Sequence, residues 1–311
     1  MIIDTVLDRT IVFGYGRVGW AVRRRLPGWP ADPPRIDGAA VLVTGAASGL
    51  GLAAARGFAR LGATVHVLAR DLGRAEQANA RVRAAVPAAD VRARACELGS
   101  LRAVRAFADR EPRFDVLVNN AGVMPAQRTR SEDGHELMFA THVLAPLALA
   151  TILLPRRVIN VSSGGMYTES LPEDGDWESE RTPYSPTKLY ARTKREQVVI
   201  TEMLAERLHE RGVVVHAMHP GWADTEGLRG AMPGFRTAIR PILRTAEEGA
   251  DTIVWLGAAP QALRETGLFW HDRRPRPTHY RLGSAPDGEQ ERDRLWAYCE
   301  AALADAGIGP L

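Results

Sequence analysis

An α/β fold is what this 311-residue chain predicts: a single domain built on one doubly wound parallel sheet, with helices on both faces. Three observations carry that reading. Apolar runs of strand length alternate with helix-length segments from about residue 39 to residue 270, the rhythm of linked βαβ units. A glycine-rich turn, Thr44-Gly-Ala-Ala-Ser-Gly-Leu-Gly51, stands between the first run and its helix. Small and polar residues then gather where the later strands end, which is where open sheets bind ligands.

The elements follow in order. Residues 1–37 read as an N-terminal amphipathic segment and a proline-rich linker. Gly14-Tyr-Gly16-Arg-Val-Gly19 fits G-x-G-x-x-G, but a following helix reaches only Arg25 or Leu26 before Pro27, and no second strand with an acid comes after. A dinucleotide site needs all of these parts. The segment is instead expected to pack Val18, Trp20 and Val22 on the body or on an apolar partner, a peripheral membrane surface included.

Ala39–Val43 reads as a buried strand and Leu52–Leu61 as its helix. Between them Gly45, Ala47, Ser48, Gly49, Leu50 and Gly51 form a turn whose backbone can approach a pyrophosphate at a helix N-terminus. The next strand, Thr64–Ala69, ends in Arg70. An acid at this turn would bind a ribose 2′-hydroxyl, whereas an arginine suits a 2′-phosphate, so NADP(H) is expected over NAD(H). Asp71 is placed to cap the helix through Val86.

Strands at Val91–Cys96 and Asp115–Val118 flank a helix at Leu101–Arg110, and Asn119-Asn-Ala121-Gly122 closes the second of them. A helix is expected from about Glu132 to Leu153, then a strand at Arg157–Val161 ending in Ser162-Ser163-Gly-Gly. A long helix should run from about Leu189 to His209, leading to strand Val213–Met218 and His219-Pro220-Gly221. A helix, a strand at Gly267–Trp270 and a tail with one helix over 273–311 complete the chain. The loops Met124–Asp133, Met166–Pro183 and Trp222–Pro241 leave strand carboxyl ends and should cover a substrate.

Two Tyr-x-x-x-Lys pairs overlap, Tyr184/Lys188 and Tyr190/Lys194. Residues four apart share a helix face, and an ammonium beside a phenol favours the phenolate and equips it for proton transfer. Pro186 would interrupt a helix carrying the first pair, at about 3 kcal/mol or more. The second pair is therefore the one expected in an active site.

Composition narrows the function classes. The formal net charge is +3 and arginines are spread along the chain, which does not suggest a nucleic-acid surface. Cys96 and Cys299 are the only cysteines, no basic-then-apolar leader opens the chain, and no apolar run reaches membrane-spanning length. A cytoplasmic protein without a metal site is expected.

Taken together and in this order, Thr44-Gly-x-x-x-Gly-x-Gly51, Asn119-Asn-Ala-Gly122, Ser163, Tyr190-x-x-x-Lys194 and Pro220-Gly221 resemble the short-chain dehydrogenase/reductase superfamily, a Rossmann-like fold, over residues 38–272. The runs Val161-Ser-Ser-Gly-Gly-Met166, His219-Pro-Gly-Trp-Ala-Asp-Thr225 and Phe269-x-x-Asp-Arg narrow the resemblance to the branch of SDR family member twelve and its bacterial relatives. The resemblance implies an oxidoreductase in which Tyr190 exchanges the proton, Lys194 lowers its pKa and holds the nicotinamide ribose, and Ser163 binds the substrate oxygen. It implies Gly45, Gly49, Leu50 and Gly51 at the pyrophosphate, and Asn119, Ala121 and Gly122 at the adenosine side. Glu97, with Leu98 after it, stands near adenine where the family has Asp, and Pro220, Gly221 and Thr225 border the nicotinamide. His142 replaces an asparagine that helps fix a relay water in the family; its neutral imidazole is expected to hold that water with either nitrogen. Family members also pair through helices equivalent to Glu132–Leu153 and Leu189–His209, implying a homodimer. The alternatives are a non-catalytic NADP(H)-binding sensor on the same fold and, more remotely, a nucleotide-sugar epimerase.

Overall fold

The computed structural model describes residues 2–10, 14–224, 239–280 and 286–311, with 234 and 237. Two short helices open the chain, α1 (Ile2–Arg9) and α2 (Arg17–Arg23). Then come β1 (Ala40–Thr44), α3 (Gly49–Arg60), β2 (Thr64–Ala69), α4 (Leu72–Ala85), β3 (Val91–Ala95), α5 (Leu101–Ala108) and β4 (Val116–Asn119). A broken helix follows: α6 (Leu137–Phe139), a π turn (Ala140–Leu144) and α7 (Ala145–Leu153). The remainder is β5 (Arg157–Val161), α8 (Pro186–Leu208), β6 (Val214–Met218), α9 (Ala246–Ala258), β7 (Phe269–His271), β8 (Arg274–Arg276) and α10 (Glu289–Asp305).

The strands form one sheet in the order β3-β2-β1-β4-β5-β6-β7-β8. All pairings are parallel except β7 with β8. The order reverses between β1 and β4, and this switch point opens a crevice at the strand carboxyl ends. Side chains alternate across the sheet. Val41 and Val43 of β1 face a core with α3, α4 and α9, whereas Leu42 faces the core of α5, α7, α8 and α10. Helices thus cover both faces, as the sequence pattern requires.

Several boundaries differ from the sequence reading for local reasons. Helix α8 begins at Pro186, three residues before Leu189. Proline is tolerated at a first helical position because its missing N–H would be unpaired there anyway. Tyr184 stays outside the helix, donating its hydroxyl to the Pro125 carbonyl at 2.6 Å. The helix expected from Glu132 begins at Leu137. Gly134, at φ 89°, turns the chain first, and the Glu136 carboxylate caps the helix by accepting from Phe139 N at 2.9 Å. β8 lies where a tail was expected, and α10 buries Leu295, Trp296 and Cys299 in the same core as Val199 and Met203 of α8. Helix α8 is buried continuously from Thr193 to Thr201 within the one chain.

The N-terminal segment inverts the expected packing. Val18 is 51% exposed, as are Ile3 and Val6 to a similar extent, while Trp20 and Val22 are half-buried. The inward side chains are charged. Asp4 pairs with Arg23, Arg274 and Arg276, and Arg23 reaches the buried Asp272 at 2.6 Å. Among the described residues, no helix is long and apolar enough to cross a membrane.

Candidate active site

A cleft of about 1120 Å³ opens at the carboxyl ends of β1, β4, β5 and β6. Its floor is the turn between β1 and α3, where Gly45, Ala47, Ser48, Gly49, Leu50 and Gly51 all line the space. Gly45 and Gly49 take φ of 63° and 53°, a region that favours glycine. A Cβ on Gly51 would sit 2.5 Å from the Asn120 side-chain nitrogen. Ser48 makes no side-chain bond to the amides of the first turn of α3. This is a cradle of bare backbone at a helix N-terminus, and it fits a pyrophosphate.

Arg70, Glu97 and Leu98 line the end of the cleft where the sequence led us to expect adenosine, and Ala121 and Gly122 its wall. Arg70 Nε lies 3.3 Å from Glu97 Oε2. Arg74, which the sequence reading passed over, lines the same end and pairs with Asp71 at 3.2 Å. Asp71 also caps α4, accepting from Arg74 N at 2.9 Å.

One expected contact is displaced. Asn119 is 2% exposed and turns into the sheet, donating to Asn160 Oδ1 at 2.8 Å. Strand alternation puts its neighbour on the cleft side instead. Asn120 lines the cleft and ties the loop to β1, with Nδ2 donating to the Thr44 carbonyl at 2.8 Å and its backbone N to Thr44 Oγ1 at 2.9 Å.

At the other end Ser163, Tyr190, Lys194, Pro220 and Gly221 face one space, joined by Met124, Thr168 and Trp222. Thr225 lies outside the described residues. β5 delivers Ser163 just past its last residue, and the first turns of α8 deliver Tyr190 and Lys194. Burial pushes the Tyr190 phenol up, and the Ser163 hydroxyl pulls it part of the way back. The lowering expected from Lys194 is not what dominates. The ammonium lies 5.8 Å from the Tyr190 ring centroid, and Lys194 is itself brought down to about 7 by burial. Desolvation of the two side chains outweighs the attraction between them.

His142 is fully buried behind this site, in the π turn. Its Nε2 accepts from Val123 N at 3.0 Å. Its Nδ1 meets Thr193 Oγ1 at 2.8 Å, and that hydroxyl donates to the Tyr190 carbonyl at 3.0 Å. The set is consistent with one neutral tautomer, Nδ1–H donating to Thr193. Burial, then the neighbouring Lys194, hold the ring well below its usual pKa. Both nitrogens are occupied by protein, so the expectation that either one holds a relay water is not met.

Comparison with known proteins agrees with this architecture. The family model for short chain dehydrogenases matches residues 39–173. The chain is 40% identical over 272 residues to dehydrogenase/reductase SDR family member 12 of Bos taurus, covering 84% of this chain and 85% of that one. A crystal structure from Mycobacterium paratuberculosis superposes with a TM-score of 0.69 at 29% identity, over 90% of this chain and 98% of the other. Another, from Beutenbergia cavernae with NADP bound at low occupancy, gives a TM-score of 0.62 at 25% identity over 76% and 96% of the two chains.

Proposed function

The chain belongs to the short-chain dehydrogenase/reductase family, and we propose that it is an NADP(H)-dependent oxidoreductase acting between a carbonyl and a secondary alcohol on an apolar substrate. One observation carries the reading: Ser163, Tyr190 and Lys194 converge on the cleft that also holds the glycine cradle. Arg70 and Arg74 at its adenosine end supply cationic groups suited to a 2′-phosphate. Gly45, Gly49 and Gly51 would hold the pyrophosphate, and Lys194 with Pro220 and Gly221 would flank the nicotinamide ribose. When bound, the nicotinamide supplies or accepts the hydride.

The chain's own residues handle the proton and the substrate. In reduction, the Tyr190 phenol gives its proton to the substrate oxygen; in oxidation, the phenolate takes it. Ser163 orients that oxygen. Met124, Pro125 and Trp222 give the substrate end an apolar lining that excludes water from the reacting carbon. A cytoplasmic setting accords with two buried free cysteines.

A panel of carbonyls and alcohols, assayed with NADPH and NADP⁺ at the nicotinamide absorbance, tests the reading. Tyr190→Phe should abolish turnover with NADPH affinity kept within a few-fold, whereas Tyr184→Phe should remain active. Tight NADPH binding without turnover of any substrate would favour the sensor alternative.

A further inference from the structure

The structure fills a gap behind Lys194 with a side chain where the family resemblance leads one to expect water. Lys194 Nζ donates to the Val161 carbonyl at 2.8 Å and to Gln197 Oε1 at 3.3 Å. Gln197, one turn further along α8 and 1% exposed, donates its Nε2 to the His142 carbonyl at 2.9 Å. The carboxamide therefore spans from the ammonium to the π turn. Its orientation follows from chemistry, since an ammonium needs an acceptor and a carbonyl needs a donor. The opposite flip would turn both contacts repulsive. The His142 ring nitrogens serve Val123 and Thr193, and its carbonyl already accepts from Gln197.

We propose that Gln197 is a positioning residue that takes the place of the relay water and holds Lys194 toward the cleft by protein contacts alone. The inference rests on the reading of Tyr190 and Lys194 as the catalytic pair. A carboxamide N–H bonded to a carbonyl does not pass its proton onward near neutral pH. The proton that Tyr190 gives to a product alcohol is therefore replaced from solvent on the cleft side, through Lys194 or directly, and not through the protein behind it. Among the described residues, the titratable groups facing Lys194 are Tyr190 from α8 and His142 from the π turn. β5 presents only the Val161 carbonyl to it.

The chain offers a direct probe, because Lys188 and Lys194 are its only lysines. In protein labelled with [ε-¹³C]lysine, Lys188→Arg leaves one resonance to titrate. Gln197→Glu should raise the Lys194 midpoint by more than about one pH unit, a carboxylate then facing the ammonium. Gln197→Leu should lower it and reduce kcat about tenfold with KM within twofold, as expected for a lost orienting bond. A midpoint that Gln197→Glu leaves unmoved would overturn the proposal, whether or not Gln197→Leu folds. The titration needs no turnover, so it stands apart from the oxidoreductase reading. Normal catalysis with an unmoved midpoint would remove Gln197 alone, while a shifted midpoint without turnover on any substrate would leave the clamp and remove the activity.

Discussion

Replacing Glu97 with Gln should strengthen the preference for NADPH. Arg70 and Glu97 form an ion pair at 3.3 Å, with side chains 64% and 45% exposed. A bound 2′-phosphate would compete with Glu97 for the same guanidinium, and two anions sharing one guanidinium are taken here as about 6 Å apart. At that separation in a water-like dielectric, each unit charge pair costs about 0.7 kcal/mol, or roughly threefold in affinity. Glu97→Gln removes that repulsion and keeps an oxygen for Gly99 N, which donates to Glu97 Oε1 at 2.9 Å. Arg70→Ala acts in the opposite sense. It loses one charge-assisted contact of about 1.4 kcal/mol, or tenfold. Arg74 should retain a residual preference in that variant. Dissociation constants for NADPH and NADH from nicotinamide fluorescence measure both effects. Because the groups are exposed, the differences should shrink as salt rises from 0.05 to 0.5 M, values chosen at about 14 and 4 Å of Debye length. Equal wild-type affinities for the two cofactors, or a ratio that Arg70→Ala leaves unchanged, would refute the reasoning.

Lys194→Met should abolish turnover and raise the melting temperature. The buried ammonium titrates at about 7, well below an ordinary lysine. The unfolded chain therefore binds more protons than the folded one between pH 7 and about 10.4, and the penalty is greatest below pH 7 and fades as pH rises through that window. The gain in the variant should follow the same course in pH-resolved calorimetry. His142→Leu should lower stability by roughly 1–3 kcal/mol, because the Val123 amide loses its acceptor and the Thr193 hydroxyl one of its two contacts, and denaturant titration reads the loss. Glu136 is raised to about 7, foremost by burial, so its ionisation costs stability as pH climbs from about 4.3 through 7. Glu136→Gln, which keeps the cap on Phe139, should raise the melting temperature at pH 8 and change it little at pH 4.

The strands and the cofactor cradle were legible because their signals are local and strong. A strand buried on both faces must be largely apolar, and β1, β4 up to Val118 and the Val158–Ile159 centre of β5 are; a turn that meets a ligand with its backbone needs glycine, and Gly45 and Gly49 stand where φ turns positive. What escaped depends on direction or distance. Asn119 and Asn120 differ only in which face of the sheet each meets. Arg74 enters the cleft because one helical turn brings it beside Arg70, in a sequence with arginine at many surface positions. Gln197 carries no motif, and its place is set by the π turn that brings the His142 carbonyl to α8. β8 is three residues long and holds charged side chains, so no periodicity marks it. The pairing of its Arg274 and Arg276 with Asp4 links positions about 270 residues apart.

The glycine pattern at Gly14–Gly19 shows what such a motif does and does not say. Glycine spacing reports that a backbone comes close to something, and only context says to what. Here the close partner is the protein. A Cβ on Gly14 would collide with the Leu7 carbonyl of α1. The Gly14 carbonyl accepts from Arg23 Nη1 at 2.7 Å and from Arg244. The Tyr15 carbonyl accepts from Trp222 N at 2.8 Å, and a Cβ on Gly221 would meet that same carbonyl. The Tyr15 ring, 3% exposed, packs against His219 and over Gly164, beside Ser163. Arg23 and Arg244 then converge on Asp272, whose carboxyl their charge holds far below the usual range despite burial. The segment therefore braces, from outside, the loop after β6 and the turn after β5. Those are the two places where the backbone carries the residues that would meet the nicotinamide and the substrate oxygen. The same property of glycine thus appears twice, once as the bare turn proposed to hold phosphate at Gly45–Gly51 and once as a strap at Gly14–Gly16, and only the strand, helix and second strand around the first distinguish them in the sequence.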